Sequence, residues 1–448
     1  MSTESTSRLS IQEFIDSTTM SPRQRLIVAL GLLTMIAEGL DVTIAGFVYP
    51  HVVRDWGTSI GAVTATVTSG VLSMAAGGAV AGPLADRYGR KGVTVVGVLI
   101  FGLATAAMGL ATSIEVLAIL RAVACAGLGA VAPAVMTVIA DSTPAHRRAQ
   151  MVTLTFSGVA VGTVGGGFLA SAVIPAYGWP ALLALCGLAP LLLVPFVVAY
   201  VPESVSVLIA RGRDPEQVRK VLALLAPDRD TSRVDLSGAP VGERGQSVGA
   251  IVLSRAHVRR TLLIWLCSFI LLGVVFLILN YLPLMVEQSG LSAARTGTVV
   301  GFFGWGSLGG QLLASFGVKR FDRFRVLALA SALSAVAVWV MSVGGYSFPG
   351  LLAVVFALGL VLGGSTSSLQ AVGALAYPSA ARATGLGWMS GVGRLGTLTS
   401  GLLGGIMIGA GWGISRIFLV LGVPLLLGAL AALLLGARPR RPALSPQP

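Results

Sequence analysis

Residues Gly82 to Lys91 read GPLADRYGRK and connect two long apolar runs, 60–84 and 91–112. The glycines in this turn permit a tight bend and a close approach of the flanking helices. Asp86 can meet a helix N-terminus or an arginine, which would latch one conformation. We expect a gating turn, with a generic basic turn as the alternative. Its candidate residues are Gly82, Asp86, Arg87, Gly89 and Arg90.

Apolar runs separated by charged turns fill the rest of the chain as well. Of the 448 residues, 55% are hydrophobic and only 11% are charged, whereas soluble proteins contain roughly 25% charged residues. So few charges cannot cover a water-exposed surface, so the sequence predicts a membrane protein. This composition excludes a secreted protein, a DNA-binding protein and a cytosolic enzyme.

About twelve of these runs reach the ~20 residues needed to cross a bilayer. We interpret each as a helix, because backbone in hydrocarbon must satisfy its own hydrogen bonds and the runs lack the two-residue alternation of a barrel strand. The predicted spans are 25–49, 60–84, 91–112, 114–140, 149–173, 179–201, 258–286, 293–317, 323–344, 347–377, 380–408 and 411–437. The predicted fold is therefore an all-α membrane protein.

The positive charges indicate how the chain is oriented. A net charge of +13 would suggest a nucleic-acid partner if it formed one patch, but the cations lie in short loops. Alternate loops hold most of them: Arg87 to Lys91, Arg147 and Arg148, the segment 202–257, Lys319 to Arg325, and Arg382. Under the positive-inside rule, both termini are predicted to be cytoplasmic, in a bacterial cytoplasmic membrane. The first 21 residues are polar and predict no signal peptide.

One polar interruption, 202–257, splits the spans into two sets of about six. The predicted organisation is an N-terminal tail 1–24, a half 25–201, a cytoplasmic loop 202–257, a half 258–437 and a tail 438–448. A weak internal repeat supports it: the shift that aligns Pro144 with Pro378 also aligns Gly162 with Gly396. Transporters are commonly built from two such halves, although shared membrane composition is the alternative explanation.

Two carboxylates lie on one face of the first helix, because Glu38 and Asp41 are three residues apart. A rise of about 1.5 Å per residue places them ~18 to 23 Å from the cytoplasmic end. Ionisable groups at that depth cost roughly 2.5–3.5 kcal/mol each, so they are candidates for function. Repulsion and desolvation favour proton binding by at least one of them. We therefore expect proton coupling here, with a structural pair satisfied by a neighbouring Arg, Ser or Thr as the alternative.

Two arginines at membrane depth belong to opposite halves of the repeat. Arg121 lies in the fourth predicted helix and Arg394 in the eleventh. Arginine remains charged in proteins, and its planar fork accepts a carboxylate in bidentate fashion. Both are predicted to bind an anionic substrate. For Arg121 a standing salt bridge with Asp41 or Glu38 remains equally open, whereas the predicted helix of Arg394 contains no acidic residue.

Asn280 and Tyr281 precede Pro283 in the seventh span. They are candidates either for the polar and aromatic wall of a substrate cavity or for anchors at the membrane interface. The three cysteines have no metal-ligand spacing and the chain has no phosphate-binding loop, so we expect no metal, no cofactor and no ATP-driven step.

The turn at Gly82 to Lys91 resembles the conserved loop of the major facilitator superfamily. Three further stretches resemble the aromatic acid:proton symporters of that superfamily: EGLD at Glu38–Asp41, Pro202-Glu203-Ser204, and GWMSGVGRLG at Gly387–Gly396. The resemblance implies proton-coupled import of benzoate, hydroxybenzoate or related ring acids. It matches Glu38 and Asp41 to a coupling element whose first residue is usually aspartate, Arg121 and Arg394 to substrate-linked arginines, and Asp86 and Arg90 to the gating loop.

The predicted function is symport of an aromatic carboxylate with protons by alternating access, as a monomer surrounded by membrane lipid. The anion is expected near mid-membrane at Arg394 and Arg121, with its charge offset by a proton on Asp41 or Glu38. Two alternatives remain open: a facilitator for a sugar, polyol or drug, and a non-transporting membrane sensor with this fold. No enzymatic activity is expected.

Overall fold

The computed structural model describes residues 9–16, 18–211, 214–227, 229–231, 234–235, 258–376 and 379–436. The predicted terminal tails and the loop 202–257 therefore lie partly outside the described residues. Long helices dominate the described chain, which confirms the predicted all-helical fold. Beside them, Leu9–Ser10 pairs in parallel with Val234–Asp235 over two residues.

In the first half of the chain, five long helices are preceded by one short helix and followed by three short ones. Their bounds are α1 (Ile11–Asp16), α2 (Pro22–Trp56), α3 (Ile60–Tyr88), α4 (Arg90–Met108), α5 (Ile114–Ser142), α6 (Ala145–Leu191), α7 (Val194–Tyr200), α8 (Val205–Ala210) and α9 (Pro215–Leu225). The second half continues with α10 (Val258–Gln288), α11 (Ala293–Arg320), α12 (Arg323–Val343), α13 (Phe348–Ala376), α14 (Ser379–Gly409) and α15 (Ile414–Gly436).

Serine side chains begin three of the long helices. Ser21, Ser59 and Ser113 each accept a hydrogen bond from the backbone N–H three residues later, which satisfies a donor left open at the helix end. At α2 the Gln24 side chain also accepts from the Ser21 N–H at 2.9 Å, which completes a capping box. These caps fix where the helices enter the membrane region.

A kink divides α6 where the sequence predicts two separate spans, 149–173 and 179–201. Gly178 has φ 80° and ψ 170°, a backbone conformation that side chains rarely adopt. Ten segments of the described chain are long and apolar enough to cross a membrane, and the kinked segment Ala145–Tyr200 is counted once among them.

Glycines set the close crossings that position α2 and α5. A Cβ atom built on Gly39 would lie 2.1 Å from the Val159 carbonyl oxygen, and one on Gly162 would lie 2.1 Å from that of Ile36. A Cβ atom built on Gly129 of α5 would likewise lie 2.0 Å from the carbonyl oxygen of Met74 on α3. Backbone contact at such crossings needs the absence of a side chain. The α2 carboxylates are therefore carried on a helix packed directly against its neighbour.

Two compact units divide the chain differently from the predicted halves. The first contains Met1–Gly245, Leu279–Gly304 and Gly401–Ala410; the second contains Gln246–Ile278, Trp305–Ser400 and Gly411–Pro448. Within the first unit, parts of α10, α11 and α14 pack against the N-terminal helices. Gly46 meets Leu279, Gly167 meets Gly301, and Gly405 meets Thr64, each at a distance that leaves no room for a Cβ atom.

The segment after α7 packs on the first helices instead of projecting as a loop throughout. Asp214 caps α9 by accepting a hydrogen bond from the Glu216 N–H at 3.0 Å. Val218 and Leu222, one turn apart on α9, are buried in the same apolar cluster as Phe14 and Ile27. Burial of this face ties the start of the predicted interdomain loop to the N-terminal half.

Candidate functional site

Asp41 lies at the centre of the strongest polar contact among the described membrane helices. Its side chain is fully buried, with 0% exposure. One carboxylate oxygen, Oδ2, accepts a hydrogen bond from Arg121 Nη1 at 2.7 Å. The other, Oδ1, accepts from Thr105 Oγ1 at 2.6 Å. Three helices, α2, α4 and α5, therefore meet at one carboxylate.

The neighbours of this pair are also buried. Arg121 is 7% exposed and Glu38, one turn earlier on α2, is 6% exposed. Gly70 of α3 leaves space for α5, since a Cβ atom there would lie 3.2 Å from Cys125 Sγ and 3.5 Å from Arg121 Cγ. Tyr49, two turns beyond Asp41 on α2, is within electrostatic range of the ion pair.

Because the ion pair is buried, loss of only one of its two charges is costly. Removing one member of a buried pair leaves an uncompensated charge and costs about 3–5 kcal/mol. Protonation of Asp41 neutralises the carboxylate and frees the Arg121 guanidinium for another anion. A proton on Asp41 and an anion on Arg121 can therefore together replace the salt bridge between these two residues.

The structure bears on the alternatives that the sequence leaves open for these residues. Arg121 forms the salt bridge with Asp41, one of the two predicted roles for this arginine. Asp41 is satisfied by an arginine and a threonine, as the structural alternative for the carboxylate pair also expects. Proton coupling at Glu38 and Asp41 and substrate binding at Arg121 remain predictions.

Asn280 and Tyr281 are buried in the first compact unit, at 3% and 0% exposure. The Tyr281 hydroxyl donates a hydrogen bond to the Gly401 carbonyl at 2.7 Å, which ties α10 to α14. Such burial does not fit interfacial anchors, which keep a polar tip in the headgroup region. The predicted contact of Asn280 and Tyr281 with substrate stays a prediction.

Arg394 lies on α14 in the second compact unit and is half-buried. The backbone beside it is fixed by a close crossing with α10, where a Cβ atom on Gly396 would lie 2.1 Å from the Phe269 carbonyl oxygen. One turn earlier, Ser268 donates a hydrogen bond to the Met389 carbonyl at 2.9 Å. These contacts hold the register of the α14 segment that carries Arg394.

A second polar cluster holds the turn between α3 and α4. Glu203 Oε1 accepts hydrogen bonds from the backbone N–H groups of Arg90 at 2.8 Å and Lys91 at 3.3 Å. This carboxylate sits at the N-terminus of α4, where the helix dipole favours negative charge. The Arg90 guanidinium pairs with Asp141 at the end of α5, and the Ser204 hydroxyl donates to the same carboxylate. We call Arg90, Asp141, Glu203 and Ser204 the polar latch.

The glycines predicted to shape this turn behave differently. Gly89 has φ 97°, and a Cβ atom on it would lie 2.0 Å from Glu203 Oε2, so this position requires glycine. At Gly82 no described atom lies within 4 Å of a built Cβ atom, so the close approach expected there is not present. Arg87 is exposed and lies over the Tyr88 ring, with 5.4 Å from its guanidinium carbon to the ring centroid.

The Asp86 side chain lies outside the described residues, so its predicted contact with a helix N-terminus or an arginine stays a prediction. In the second half, the Asp322 side chain does accept hydrogen bonds from the Phe324 and Arg325 N–H groups, at 3.1 and 3.0 Å. In the first half, Glu203 occupies the corresponding place at the start of α4. The acid that meets this helix thus comes from a distant part of the chain.

Sequence reasoning missed four contributors to these clusters, Thr105, Asp141, Glu203 and Ser204. Thr105 has no signal, because it is one of many hydroxyls in apolar helices. Asp141 was visible as an acid at the end of the fourth apolar run, and Glu203 as part of Pro202-Glu203-Ser204. Within the described chain, no group of three or more His, Cys, Asp or Glu residues comes together as metal ligands.

The long apolar helices define a multi-span membrane protein with a buried ion pair at its centre of polar contacts. Sequence comparison then identifies it: the chain matches the Major Facilitator Superfamily over residues 31–301 and 264–448 and belongs to that superfamily. It is 34% identical over 434 residues to the 4-hydroxybenzoate transporter PcaK of Pseudomonas aeruginosa, with 96% of each chain covered. It is 33% identical to the gallate transporter of Pseudomonas putida, covering 95% of this chain and 94% of that relative.

Solved structures agree on the fold. The inward open conformation of the xylose transporter XylE from E. coli has a TM-score of 0.74 at 17% identity, over 93% of this chain and 97% of that one. The sequence-based predictions of a major facilitator fold and of a transporter without enzymatic activity are therefore confirmed. The chain is a multi-pass protein of the bacterial cytoplasmic membrane, also as predicted.

Removing the Glu203 carboxylate should loosen the polar latch. We expect Glu203→Ala to destabilise the protein by about 1–2 kcal/mol, because the half-buried N–H groups at the start of α4 lose their acceptor. Glu203→Gln should cost less, since the amide oxygen still accepts. Thermal unfolding of detergent-purified protein measures both. Glu216→Ala, at an exposed glutamate in the first turn of α9, is the control; equal unfolding midpoints for Glu203→Ala and Glu216→Ala would contradict the stabilising role.

Proposed function

We propose that this carrier imports an aromatic carboxylic acid, such as a hydroxybenzoate, together with protons by alternating access. The named relatives support the substrate class: transporters of 4-hydroxybenzoate and gallate are 34% and 33% identical to this chain over nearly its full length. The observation that carries the coupling is the buried contact of Asp41 with Arg121 at 2.7 Å.

The proposed coupling follows from charge balance at this contact. In the empty carrier, the carboxylate and the guanidinium neutralise each other in a water-poor site. A proton on Asp41 neutralises the carboxylate that pairs with Arg121. The Arg121 guanidinium then binds the substrate carboxylate instead. Proton and anion enter together because either alone would leave an unpaired buried charge. One proton and one monoanion add no net charge to the carrier.

Further residues complete the proposal. Arg394 contributes its guanidinium to substrate binding, and Asn280 and Tyr281 contribute polar and aromatic contacts. Glu38 is a second proton-binding group, buried one turn from Asp41. The polar latch and Asp86 act in gating. Both termini are cytoplasmic, and the carrier works as a monomer in lipid.

Uptake in proteoliposomes tests the function. With an acidic exterior and an alkaline interior, purified protein should accumulate labelled 4-hydroxybenzoate well above protein-free liposomes, which report passive entry of the neutral acid. A protonophore should abolish the accumulation. Labelled xylose should not accumulate. Accumulation of xylose in place of the ring acid would favour a sugar carrier, and no uptake above protein-free liposomes would favour a non-transporting sensor.

The role of Arg394 has its own test. Lysine keeps the charge of arginine but not the bidentate fork, and alanine keeps neither. We expect Arg394→Lys to weaken binding of 4-hydroxybenzoate and Arg394→Ala to weaken it further. Loss of the charge-assisted contact is expected to cost about 2 kcal/mol or more, about thirtyfold in affinity. Binding of the neutral 4-hydroxybenzamide should fall much less.

The deciding measurement is the ratio of acid to amide affinity in detergent-purified wild type and both variants. Arg416→Lys is the control, since Arg416 is an exposed arginine in the C-terminal half. A ratio that does not change in the Arg394 variants would remove Arg394 from the binding site. A structural role would instead lower the yield of folded protein and weaken acid and amide alike.

A further inference from the structure

The Thr105 hydroxyl is the second polar partner of Asp41. It is fully buried on α4, and its Oγ1 atom lies 2.6 Å from Asp41 Oδ1, while Arg121 holds Oδ2. Each carboxylate oxygen thus has one donor. The two donors differ in kind, because the guanidinium only donates whereas the hydroxyl both donates and accepts.

Several other buried threonines of the described chain use their hydroxyl groups locally. The hydroxyls of Thr34, Thr43, Thr66 and Thr94 each donate to the carbonyl four residues earlier in the same helix. That bond is the usual local partner of a threonine within a helix. Thr105 instead reaches a residue 64 positions away, on another helix. Its contact with Asp41 is therefore not the default for a buried helical threonine.

We infer that Thr105 is a positioning residue that favours the ionised, arginine-paired form of Asp41 and so sets the pH at which the carrier binds its proton. A hydrogen bond to a charged carboxylate is stronger than one to a neutral carboxyl group. The hydroxyl therefore favours the charged form. This inference rests on the proposed proton coupling and deepens it.

The same hydroxyl can serve the protonated state. When a proton from the aqueous side binds Asp41, the salt bridge to Arg121 opens and one carboxyl oxygen becomes an O–H donor. Thr105 Oγ1 can then accept from that O–H, since a hydroxyl has two lone pairs. The carboxyl group keeps a partner and stays in place while Arg121 is released. A purely apolar residue at this position would hold neither form.

Other titratable groups lie near the Asp41–Arg121 pair, and they are the same in wild type and in every Thr105 variant. On α2 they are Glu38 and Tyr49, on α5 Arg121 and Cys125, on α6 Cys186, and on α10 Tyr281, which faces Tyr49. None of them is altered by a change at Thr105. A comparison of Thr105 variants therefore isolates the contribution of one hydroxyl.

The test follows the protonation of Asp41 directly. Infrared difference spectra of purified protein, recorded across pH, show the C=O band of protonated carboxyl groups, and the component lost in Asp41→Asn belongs to Asp41. We expect Thr105→Val, which keeps the shape but loses the hydroxyl, to move the midpoint of this band up by about one pH unit. Thr105→Ser keeps the hydroxyl and should stay near the wild-type midpoint.

Thr66→Val is the matched control, because Thr66 is equally buried and bonds only the Ala62 carbonyl of its own helix. Its midpoint should not move. The inference is overturned if the Asp41 band of Thr105→Val coincides with that of wild type, or if Thr105→Ser shifts as far as Thr105→Val. A merely structural role would lower thermal stability without moving the band.

The infrared measurement needs no substrate, so it separates this inference from the proposed function. If wild-type protein fails to take up ring acids while the Thr105→Val midpoint still shifts, the substrate assignment is wrong and the role of Thr105 stands. If ring acids accumulate but the midpoint does not shift, transport stands and the role of Thr105 falls.

Discussion

The buried contact between Asp41 and Arg121 is the constraint on which the rest of the site depends. Two opposite charges with 0% and 7% exposure persist in a membrane helix bundle only if they stay together or are both supplied with new partners. Close glycine crossings, such as Gly127 of α5 with Gly97 of α4, hold two of these helices close together. Thr105 then fills the remaining carboxylate oxygen. Packing and electrostatics are thus fixed by the same helices.

The two polar clusters differ in what they can do. The Asp41 contact is deep and dry, so adding one proton changes its charge balance strongly. The polar latch is half-buried, and its described contacts join α4, α5 and the segment after α7 within the N-terminal half. Those contacts stiffen one end of a single half. In the proposed transport cycle, these contacts keep that half rigid while it moves as a body.

Hydropathy predicted the helices well because each span needs a long apolar run. Helix rise predicts a mid-membrane depth for Glu38 and Asp41, and that depth stays a prediction. The contact between Asp41 and Arg121 remained one of several options, since sequence spacing does not show which helices touch. Thr105 could not be found, because a hydroxyl in an apolar helix usually bonds its own backbone. Of the two glycines predicted in the gating turn, Gly89 meets a distant carboxylate and Gly82 has no described atom within 4 Å of a built Cβ atom, and their roles in gating stay predictions.

Simultaneous recording of proton and substrate movement tests the central claim most directly. Lightly buffered proteoliposomes with a trapped pH dye and labelled 4-hydroxybenzoate report both in one sample, with protein-free liposomes as the blank. We expect wild-type uptake to carry protons inward with the acid. Asp41→Asn protein, inserted to the same level, should still exchange labelled for unlabelled acid but move no protons and accumulate nothing. Proton-coupled accumulation that persists in Asp41→Asn would exclude Asp41 as the coupling group.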